Sequence, residues 1–381
     1  MSELTHADYE LFRDQIRKLV LEKVAPHAAE IDQTKSRPLA PVAALAKAGL
    51  TALPFPSDLG GQDGDLLSRV IVIEETARVC ATTAVTLLTN WIVLEPLIQF
   101  GDPELARSIV LPVAKGEAVA AWCMTEPAGG SDLGAITTRA VRSDTGWVIN
   151  GVKRFITNAG WADWYTVLAR TGEKCFGIFM VHRETPGMSF GRPERKMGLR
   201  GSPTADVIFE SVEVPEIQVI GDPEKGLDYM LAGLTNSRPI VAAEALGLAQ
   251  GALDEAVRYT AQRLQFGQPV GRSPMIRGMV ADMAVKVESS RALLYRAVDY
   301  AANDPAKAKV FASMAKLLCS DTAMSVTTDA VQLHGGYGYI EDYPVERMMR
   351  DAKITQIYEG TNQIQRLIIA KHIYEVASER A

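Results

Sequence analysis

The chain has 381 residues, of which 47% are hydrophobic and 23% charged, with a formal net charge of −6. This length predicts two or three domains, because one hydrophobic core rarely serves so long a chain. The acidic balance argues against a nucleic-acid-binding protein, which needs a surplus of positive charge. We find no apolar run of about 18 residues and no signal or transit peptide, so we expect a cytoplasmic protein without membrane insertion.

The cysteines and histidines carry no metal-binding or redox pattern. The four cysteines and five histidines are scattered along the chain, without a CxxC or an HExxH spacing. Paired cysteines or closely spaced ligands are what a disulfide framework or a zinc site requires. We therefore expect neither a disulfide nor a metal.

Residues 1–119 have the periodicity of helices. Thr5 followed by Asp8 resembles a capping box at the start of the first helix. The stretch from Leu66 to Phe100 is almost continuously apolar, which is typical of helices buried on all sides. The sequence predicts an all-α N-terminal domain.

The period changes to that of strands over residues 120–222. Asn150-Gly151 lies between Trp147-Val148-Ile149 and the run Lys153-Arg154-Phe155-Ile156 and predicts a two-residue β-hairpin. Further strands are predicted at Trp164–Leu168, Phe176–Val181 and Val207–Phe209. This region is interpreted as a small β domain, either a barrel or a sandwich.

Residues 223–381 return to helical periodicity, with long helices predicted at 238–264, 275–302, 306–333 and 359–377. Gly335-Gly336 is expected to end the third of them, since glycine readily adopts the conformation that stops a helix. Four long helices with short connections predict a four-helix bundle. The fold class is therefore α+β, with a β domain between two helical ones.

Glu359 is the candidate catalytic base. Its carboxylate follows apolar residues (Ile354, Ile357 and Tyr358), and a carboxylate that loses hydration becomes a stronger base. The alternative is a solvated helix N-terminus with Glu in its first turn. The residues of this stretch alone leave both interpretations open.

The stretch at 122–132 contains the candidate cofactor-binding loop. Thr125 and Ser131 offer hydroxyl groups beside a proline and two glycines, and such a loop can bind a pyrophosphate. An ordinary turn has a similar composition. Gly335-Gly336-Tyr337-Gly338 follows a helix instead of a strand, which disfavours a nicotinamide enzyme of the Rossmann type. The absence of a GxSxG motif disfavours an α/β-hydrolase.

Six motifs in fixed order resemble the acyl-CoA dehydrogenase family over nearly the whole chain. They are TEPAGGSD at 125–132, NGVKRFITN at 150–158, KMGLRGS at 196–202, RLQFG at 263–267, QLHGG at 332–336 and YEGT at 358–361. The resemblance implies a helical, β and helical domain order. It also implies FAD as cofactor and the α,β-dehydrogenation of an acyl-CoA thioester to the trans-2-enoyl-CoA.

The resemblance implies that FAD lies between the β domain and the C-terminal bundle. Phe155 stands where the family has Trp, and Pro274 stands where it commonly has a Gln that contacts FAD. The implied FAD contacts are Trp122, Met124, Thr125, Gly130, Ser131, Phe155, Ile156, Thr157, Thr361 and Gln363, with Arg263, Gln265, Phe266, Gln332, Gly335 and Gly336 reaching the FAD of a neighbouring subunit.

The same resemblance assigns Glu359 as the base that removes the α-proton while the β-hydride passes to flavin N5. Some relatives carry their base at the position of Ser237, which cannot serve as one. Thr235 stands at a position that is often Asp. The implied substrate contacts are Ser131, Thr235, Arg238, Tyr358 and Gly360.

The predicted acyl group is short or branched. Trp91 and Val93 stand where relatives that take longer chains often have small residues, and Thr83 replaces the Arg of dicarboxyl-specific relatives. Expected partners are acyl-CoA, electron-transferring flavoprotein and further copies of the chain in a homotetramer, a dimer of dimers. The alternatives are an oxidase-type relative, a desulfinase, which the presence of Glu359 disfavours, and a non-catalytic DNA-associated relative, which the negative charge disfavours.

Overall fold

The computed structural model describes residues 5–379. Residues 1–4, on which the prediction of no leader segment partly rests, lie outside that range. The Thr5 side chain accepts a hydrogen bond from the Asp8 N–H and the Asp8 carboxylate accepts one from the Thr5 N–H, so the predicted capping box is confirmed. The N-terminal helices are α1 (His6–Lys23), α2 (Ala28–Thr34), α3 (Leu39–Lys47), α4 (Leu66–Ala77), α5 (Ala81–Phe100) and α6 (Pro103–Ala114).

The apolar stretch from Leu66 to Phe100 forms two helices, α4 and α5, instead of one continuous run. Contrary to the sequence-based expectation, α5 is long and apolar enough to cross a membrane by length and composition. However, 89% of its most apolar window is buried inside the fold. The helix therefore packs as a core element, which explains its hydrophobicity without a membrane.

The middle of the chain forms an eight-stranded sheet in the order β6-β7-β3-β2-β4-β5-β8, with β1 paired in parallel to β4. Its strands are β1 (Ala120–Cys123), β2 (Arg139–Arg142), β3 (Gly146–Thr157), β4 (Trp164–Arg170), β5 (Phe176–His182), β6 (Met188–Phe190), β7 (Thr204–Pro215) and β8 (Val219–Ile220). A second apolar core, separate from that of the helices, fills this region.

The hairpin predicted at Asn150-Gly151 is wrong, because β3 runs through both residues. A register shift against β7 occurs there, between Ile149 and Gly151. A Cβ atom on Gly151 would lie 2.4 Å from the Thr138 hydroxyl oxygen, so glycine is needed for a close backbone crossing. Asn150 accepts a hydrogen bond from the Ser211 N–H at 2.8 Å. An Asn-Gly pair can therefore indicate a β-bulge as well as a two-residue turn.

The C-terminal region consists of five helices and a small two-stranded ribbon. The last predicted helix begins at Asn362 instead of 359, and α10 was not predicted from the sequence. The elements are α7 (Gly226–Gln262), β9 (Leu264–Gln265), β10 (Gln268–Pro269), α8 (Pro274–Asn303), α9 (Pro305–His334), α10 (Pro344–Thr355) and α11 (Asn362–Glu379). Gly335, at φ 59°, follows α9 as predicted.

Helix α7 joins the C-terminal helices to the N-terminal ones. A Cβ atom on Gly247 would lie 2.2 Å from the Glu74 carbonyl oxygen, and one on Gly251 would lie 2.1 Å from that of Arg78. The two glycines therefore let α7 cross α4 at backbone contact. This crossing fixes the direction of α7, which carries several residues of the candidate site.

Candidate active site

Glu359 lies in the loop between α10 and α11, outside any helix. It has a left-handed backbone conformation at φ 54°, and the following Gly360 has φ 88°. A non-glycine residue with positive φ is uncommon and persists where its surroundings enforce it. The interpretation as a helix first turn is therefore wrong, and the alternative of an inward-held carboxylate is favoured.

The Glu359 carboxylate faces α7 and α9. The Ser237 hydroxyl donates to Glu359 Oε2 at 3.2 Å. Burial raises the pKa of Glu359, while the Ser237 hydrogen bond and the cations of Arg238 and Lys316 oppose that rise. Burial therefore makes Glu359 a stronger base, and the two neighbouring cations stabilise its charged form.

Lys316, on α9, donates hydrogen bonds to the loop that contains Glu359. Its side chain is fully buried and its Nζ donates to the Gly360 carbonyl oxygen at 2.8 Å and to Asn362 Oδ1 at 2.9 Å. Burial lowers the pKa of Lys316 to about 8, while the Glu359 charge opposes this shift. Gln365 Nε2 adds hydrogen bonds to the Glu359 carbonyl at 3.2 Å and the Gly360 carbonyl at 3.0 Å.

Of two predicted substrate contacts, Arg238 lies beside this loop and Tyr358 lies in it. Arg238 is 5% exposed, and its Nη1 donates to the Ser313 hydroxyl at 3.3 Å. Its Nε has no hydrogen-bond partner among the described residues. The Tyr358 hydroxyl donates to Glu244 of α7. Thr235 is half-buried, one turn before Arg238 on the same helix.

Thr361 and Gln363, both predicted FAD contacts, lie at the start of α11. The Thr361 hydroxyl oxygen accepts from the Ile364 N–H at 3.3 Å, so it caps the helix. Gln363 is exposed in the first turn. Their contact with FAD remains a prediction.

The loop after β1 is anchored by a buried ion pair that the sequence reasoning missed. Lys153 Nζ lies 2.8 Å from Glu126 Oε1, and both side chains are at most 1% exposed. The same Nζ donates to the Met124 carbonyl at 3.1 Å, and the Arg154 N–H donates to the Thr125 carbonyl at 2.8 Å. The loop that contains the predicted FAD contacts is thus fixed to β3.

The predicted contacts in this loop differ in exposure. Gly130 and Ser131 are exposed, whereas Trp122, Met124 and Thr125 are partly buried. The Trp122 indole Nε1 is buried and has no acceptor among the described residues. A buried N–H group is normally hydrogen-bonded, so this one is available to a ligand.

Phe155 projects from a bulge in β3. The register against β7 shifts between Lys153 and Ile156, and Phe155 takes φ 58°. Its ring is 59% exposed, and the Arg154 guanidinium lies 4.6 Å from the ring centroid. Ile156 is buried and Thr157 half-buried. The bulge turns an aromatic face outward beside the anchored loop.

A second group of predicted FAD contacts converges on one cleft of about 460 Å³. Gly335 and Gly336 form part of its wall, and a Cβ atom on either would meet no atom within 4 Å. The Arg263 guanidinium lies 5.1 Å from the Tyr337 ring centroid. Phe266 does not line the cleft and is fully exposed. The other predicted residues that line it are Arg263, Gln265 and Gln332.

Two of the missed residues left a signal in the sequence. Glu244 is a lone carboxylate within the run Val-Ala-Ala-Glu-Ala-Leu, and Lys316 is a lone cation within Ser-Met-Ala-Lys-Leu-Leu. A charged residue in a buried helical stripe is rare unless it is paired or functional. Pro274, where a FAD-contacting Gln was expected, occupies the first position of α8.

Comparisons with known proteins identify the family of the chain. The family models described as the N-terminal, middle and C-terminal domains of acyl-CoA dehydrogenase match residues 6–117, 121–212 and 224–374. The chain is 44% identical to cyclohex-1-ene-1-carbonyl-CoA dehydrogenase of Geobacter metallireducens, covering 97% of this chain and 99% of that protein. It is 42% identical to the short-chain-specific acyl-CoA dehydrogenase of Clostridium acetobutylicum, covering 96% and 98%.

Among solved structures, butyryl-CoA dehydrogenase from Megasphaera elsdenii superimposes with a TM-score of 0.92 at 37% identity, covering 98% of this chain and 100% of that one. The predicted helical, β and helical organisation is confirmed as the organisation of this family. The chain therefore belongs to the acyl-CoA dehydrogenase family and is an oxidoreductase of that family.

Proposed function

We propose that this protein is a FAD-dependent dehydrogenase in which Glu359 removes the α-proton of an acyl-CoA thioester to give the trans-2-enoyl-CoA. The observation that carries the proposal is the half-buried Glu359 carboxylate, which is held on a residue with left-handed backbone conformation between two helices and accepts a hydrogen bond from the Ser237 hydroxyl. Ser237 cannot itself be the base, and among the described residues only its hydroxyl donates a hydrogen bond to that carboxylate. When bound, FAD supplies the hydride acceptor.

The base loop also offers a donor for the developing negative charge of the substrate. Among the described residues, the Glu359 N–H donates no hydrogen bond. A free backbone N–H at a fixed position stabilises an enolate oxygen, because it requires no reorganisation during the reaction. The Lys316 and Gln365 hydrogen bonds to the loop carbonyls hold this N–H in place.

The residues present fit FAD. Three features suit the flavin half: the buried Trp122 Nε1 without an acceptor, the outward Phe155 ring and the exposed Gly130–Ser131 end of the loop. The cleft at Gly335 and Gly336 has room for a flat ligand, and the Arg263 fork suits a phosphate. Arg263, Gln265 and Gln332 would hold the FAD of a neighbouring subunit.

For the substrate we propose a short or branched acyl group. The similarity to a short-chain-specific enzyme and to butyryl-CoA dehydrogenase supports this choice. Trp91 is a weaker support than the sequence indicated, because it is buried among the N-terminal helices with its indole N–H on the Thr51 carbonyl at 3.1 Å. Thr83 is fully buried and its hydroxyl donates to Cys80 Sγ at 3.3 Å, so it offers no cation to a second carboxylate.

Electron-transferring flavoprotein is the proposed electron acceptor, and a homotetramer the proposed assembly. Phe266 and Met275 are 100% and 82% exposed in the single chain, and apolar side chains of this size favour contact with another subunit. A cytoplasmic location remains our prediction. An oxidase-type relative would instead pass its electrons to dioxygen.

Anaerobic mixing of the purified yellow protein with butyryl-, isobutyryl- and octanoyl-CoA tests the proposal. Bleaching of the flavin absorbance by a thioester is expected, fastest with the two short substrates. Glu359→Gln should keep the flavin colour and lose about 10²- to 10⁴-fold in bleaching rate, as expected for loss of a general base. Colour without bleaching by any thioester would exclude the dehydrogenase. Preference for octanoyl-CoA would exclude only the proposed short or branched acyl group and would leave the proposed dehydrogenation in place. Rapid reoxidation by air would identify an oxidase.

A further inference from the structure

Glu244 is a fully buried carboxyl group that the proposed reaction does not use. It lies in α7 with an exposed fraction of 0%, and its Oε2 accepts a hydrogen bond from the Tyr358 hydroxyl. Its Oε1 has no hydrogen-bond partner, and the described residues provide no ion pair to it. A buried acid without a cation is costly in its charged form, so a position like this needs a reason.

The geometry supplies that reason. Ser237 and Glu244 are seven residues apart on α7, which places them two turns apart on one face of the helix. Ser237 bonds to Glu359 and Glu244 bonds to Tyr358. One helix face therefore holds two consecutive residues of the base loop at their side chains, while Lys316 holds its backbone from α9.

Three acidic groups act on Glu244. Tyr358 and Glu359 face it from the loop, and Asp351 faces it from α10, where Asp351 accepts from the Leu199 N–H at 2.6 Å. Burial, together with the charges of Asp351 and Glu359, raises the pKa of Glu244 to about 8, although the Tyr358 hydrogen bond opposes the rise. Glu359 is faced by Ser237 and Arg238 from α7 and by Lys316 from α9.

We propose that Glu244 is a positioning residue for the base, which orients the Tyr358–Glu359 segment through the Tyr358 hydroxyl and so holds the two carboxyl groups close enough to interact. This inference rests on the proposed role of Glu359 in catalysis, but the coupling between the two carboxyl groups is a property of the protein alone. Two nearby carboxyl groups in a dry site do not ionise independently. With its pKa raised to about 8, Glu244 keeps its proton at neutral pH.

The coupling is tested first without any substrate. Infrared difference spectra of the protein, recorded while pH is raised from 6 to 10, should show a protonated-carboxyl band that disappears and that Glu244→Gln removes. Glutamine has nearly the same shape and its carbonyl still accepts from Tyr358, so this variant should fold. In Glu359→Gln the midpoint of the band should fall by about one pH unit, because a like charge is removed. An unmoved midpoint, or no band lost in Glu244→Gln, overturns the proposal.

The effect on the base is tested by the rate of anaerobic flavin bleaching. A protonated Glu244 carries no charge while Glu359 titrates, so neither Glu244 variant should move the acid limb, and the rate itself is the readout. Glu244→Leu cannot accept the hydrogen bond from Tyr358, so its bleaching rate should fall by about 10-fold or more, and Glu244→Gln, which still accepts, should restore it. Asp254→Asn, which removes a carboxylate from the same helix where it accepts hydrogen bonds from Arg78 and Gln250, should bleach at the wild-type rate. A wild-type rate in Glu244→Leu, or an equal loss in Glu244→Gln, contradicts the proposal. If no thioester bleaches the wild-type flavin, the proposed function fails while the infrared titration still decides the coupling.

Discussion

The Lys316 ammonium group lies 2.8 Å from the carbonyl oxygen of Gly360, so a fully buried cation donates a hydrogen bond to the residue that follows the candidate base. The second acceptor of Lys316 is Asn362, the first residue of α11. The left-handed pair Glu359 and Gly360 is therefore enclosed between a helix start and a side chain from another helix. The position of the carboxylate depends on contacts that are distant in sequence.

Lys316→Met should lower both stability and activity. The variant leaves the Gly360 carbonyl and Asn362 with fewer donors, at a cost of about 1–3 kcal/mol in the free energy of unfolding. A small displacement of a base can lower the rate by about 10²-fold. Urea denaturation and anaerobic bleaching measure the two effects. Lys309→Met, at an exposed position of the same helix, is the control. A wild-type bleaching rate in Lys316→Met would show that the hydrogen bonds of Lys316 are not needed to position the base.

The bleaching rate should rise with pH through the pKa of Glu359. Burial raises this pKa above its usual value, and only the ionised carboxylate accepts the α-proton. The acid limb of the profile should therefore have its midpoint above pH 4.5, the ordinary value for Glu. Stopped-flow bleaching at saturating acyl-CoA measures this limb. A rate that does not vary with pH on the acid side would exclude a carboxylate base.

Gly336→Ala should reduce FAD retention without unfolding the chain. The new methyl group would meet no atom within 4 Å in the single chain, so any loss reports a ligand or a neighbouring subunit. Gly278→Ala, in α8, also meets no atom and serves as the matched control. The ratio of flavin to protein absorbance after gel filtration measures retention. Full retention in Gly336→Ala would place FAD away from this cleft.

Lys153→Met should destabilise the protein strongly, because it leaves the buried Glu126 carboxylate without its cation. Breaking one side of a buried pair costs about 3–5 kcal/mol. The double variant Glu126→Gln/Lys153→Met should recover part of that loss, since no charge stays unpaired. Denaturant titration of the three variants measures the free energies of unfolding. A double variant no more stable than Lys153→Met would contradict this account.

The same pair predicts a pH dependence of stability. Lys153 and the hydrogen bonds from Thr137 and Thr138 outweigh burial and lower the pKa of Glu126 from 4.5 to about 2. Between these values the unfolded chain binds more protons than the folded one, so stability rises with pH. The contribution is present above pH 4.5 and is lost as pH falls towards 2. In Glu126→Gln, thermal melts over this range should show a shallower slope.

Sequence periodicity predicted the elements whose signal is local. The capping box at Thr5, the end of α9 at Gly335 and the alternation of helical and β regions are set by neighbouring residues. The signal at Asn150-Gly151 was misleading, because a backbone crossing at Thr138 requires the same glycine as a tight turn. Which residues surround a buried charge is set by helices that meet only in three dimensions.

The candidate site shows the same division. Glu359 could be singled out by its apolar approach, but the donor Ser237 is 122 residues away in sequence. In the sequence, Ser237 stands out only as a position where some relatives carry their base. Similarly, neither Lys316 nor Glu244 belongs to any of the six motifs, although both fix the loop that contains one of them.

Arg238 and Lys316 have a consequence for the end of the catalytic cycle. In the proposed reaction Glu359 gains the α-proton and the negative charge leaves with the β-hydride, so the protonated base then lies beside two buried cations without its own charge. Burial raises the pKa of Glu359 and each cation lowers it, so Arg238 and Lys316 would favour return of the carboxylate before the next substrate binds.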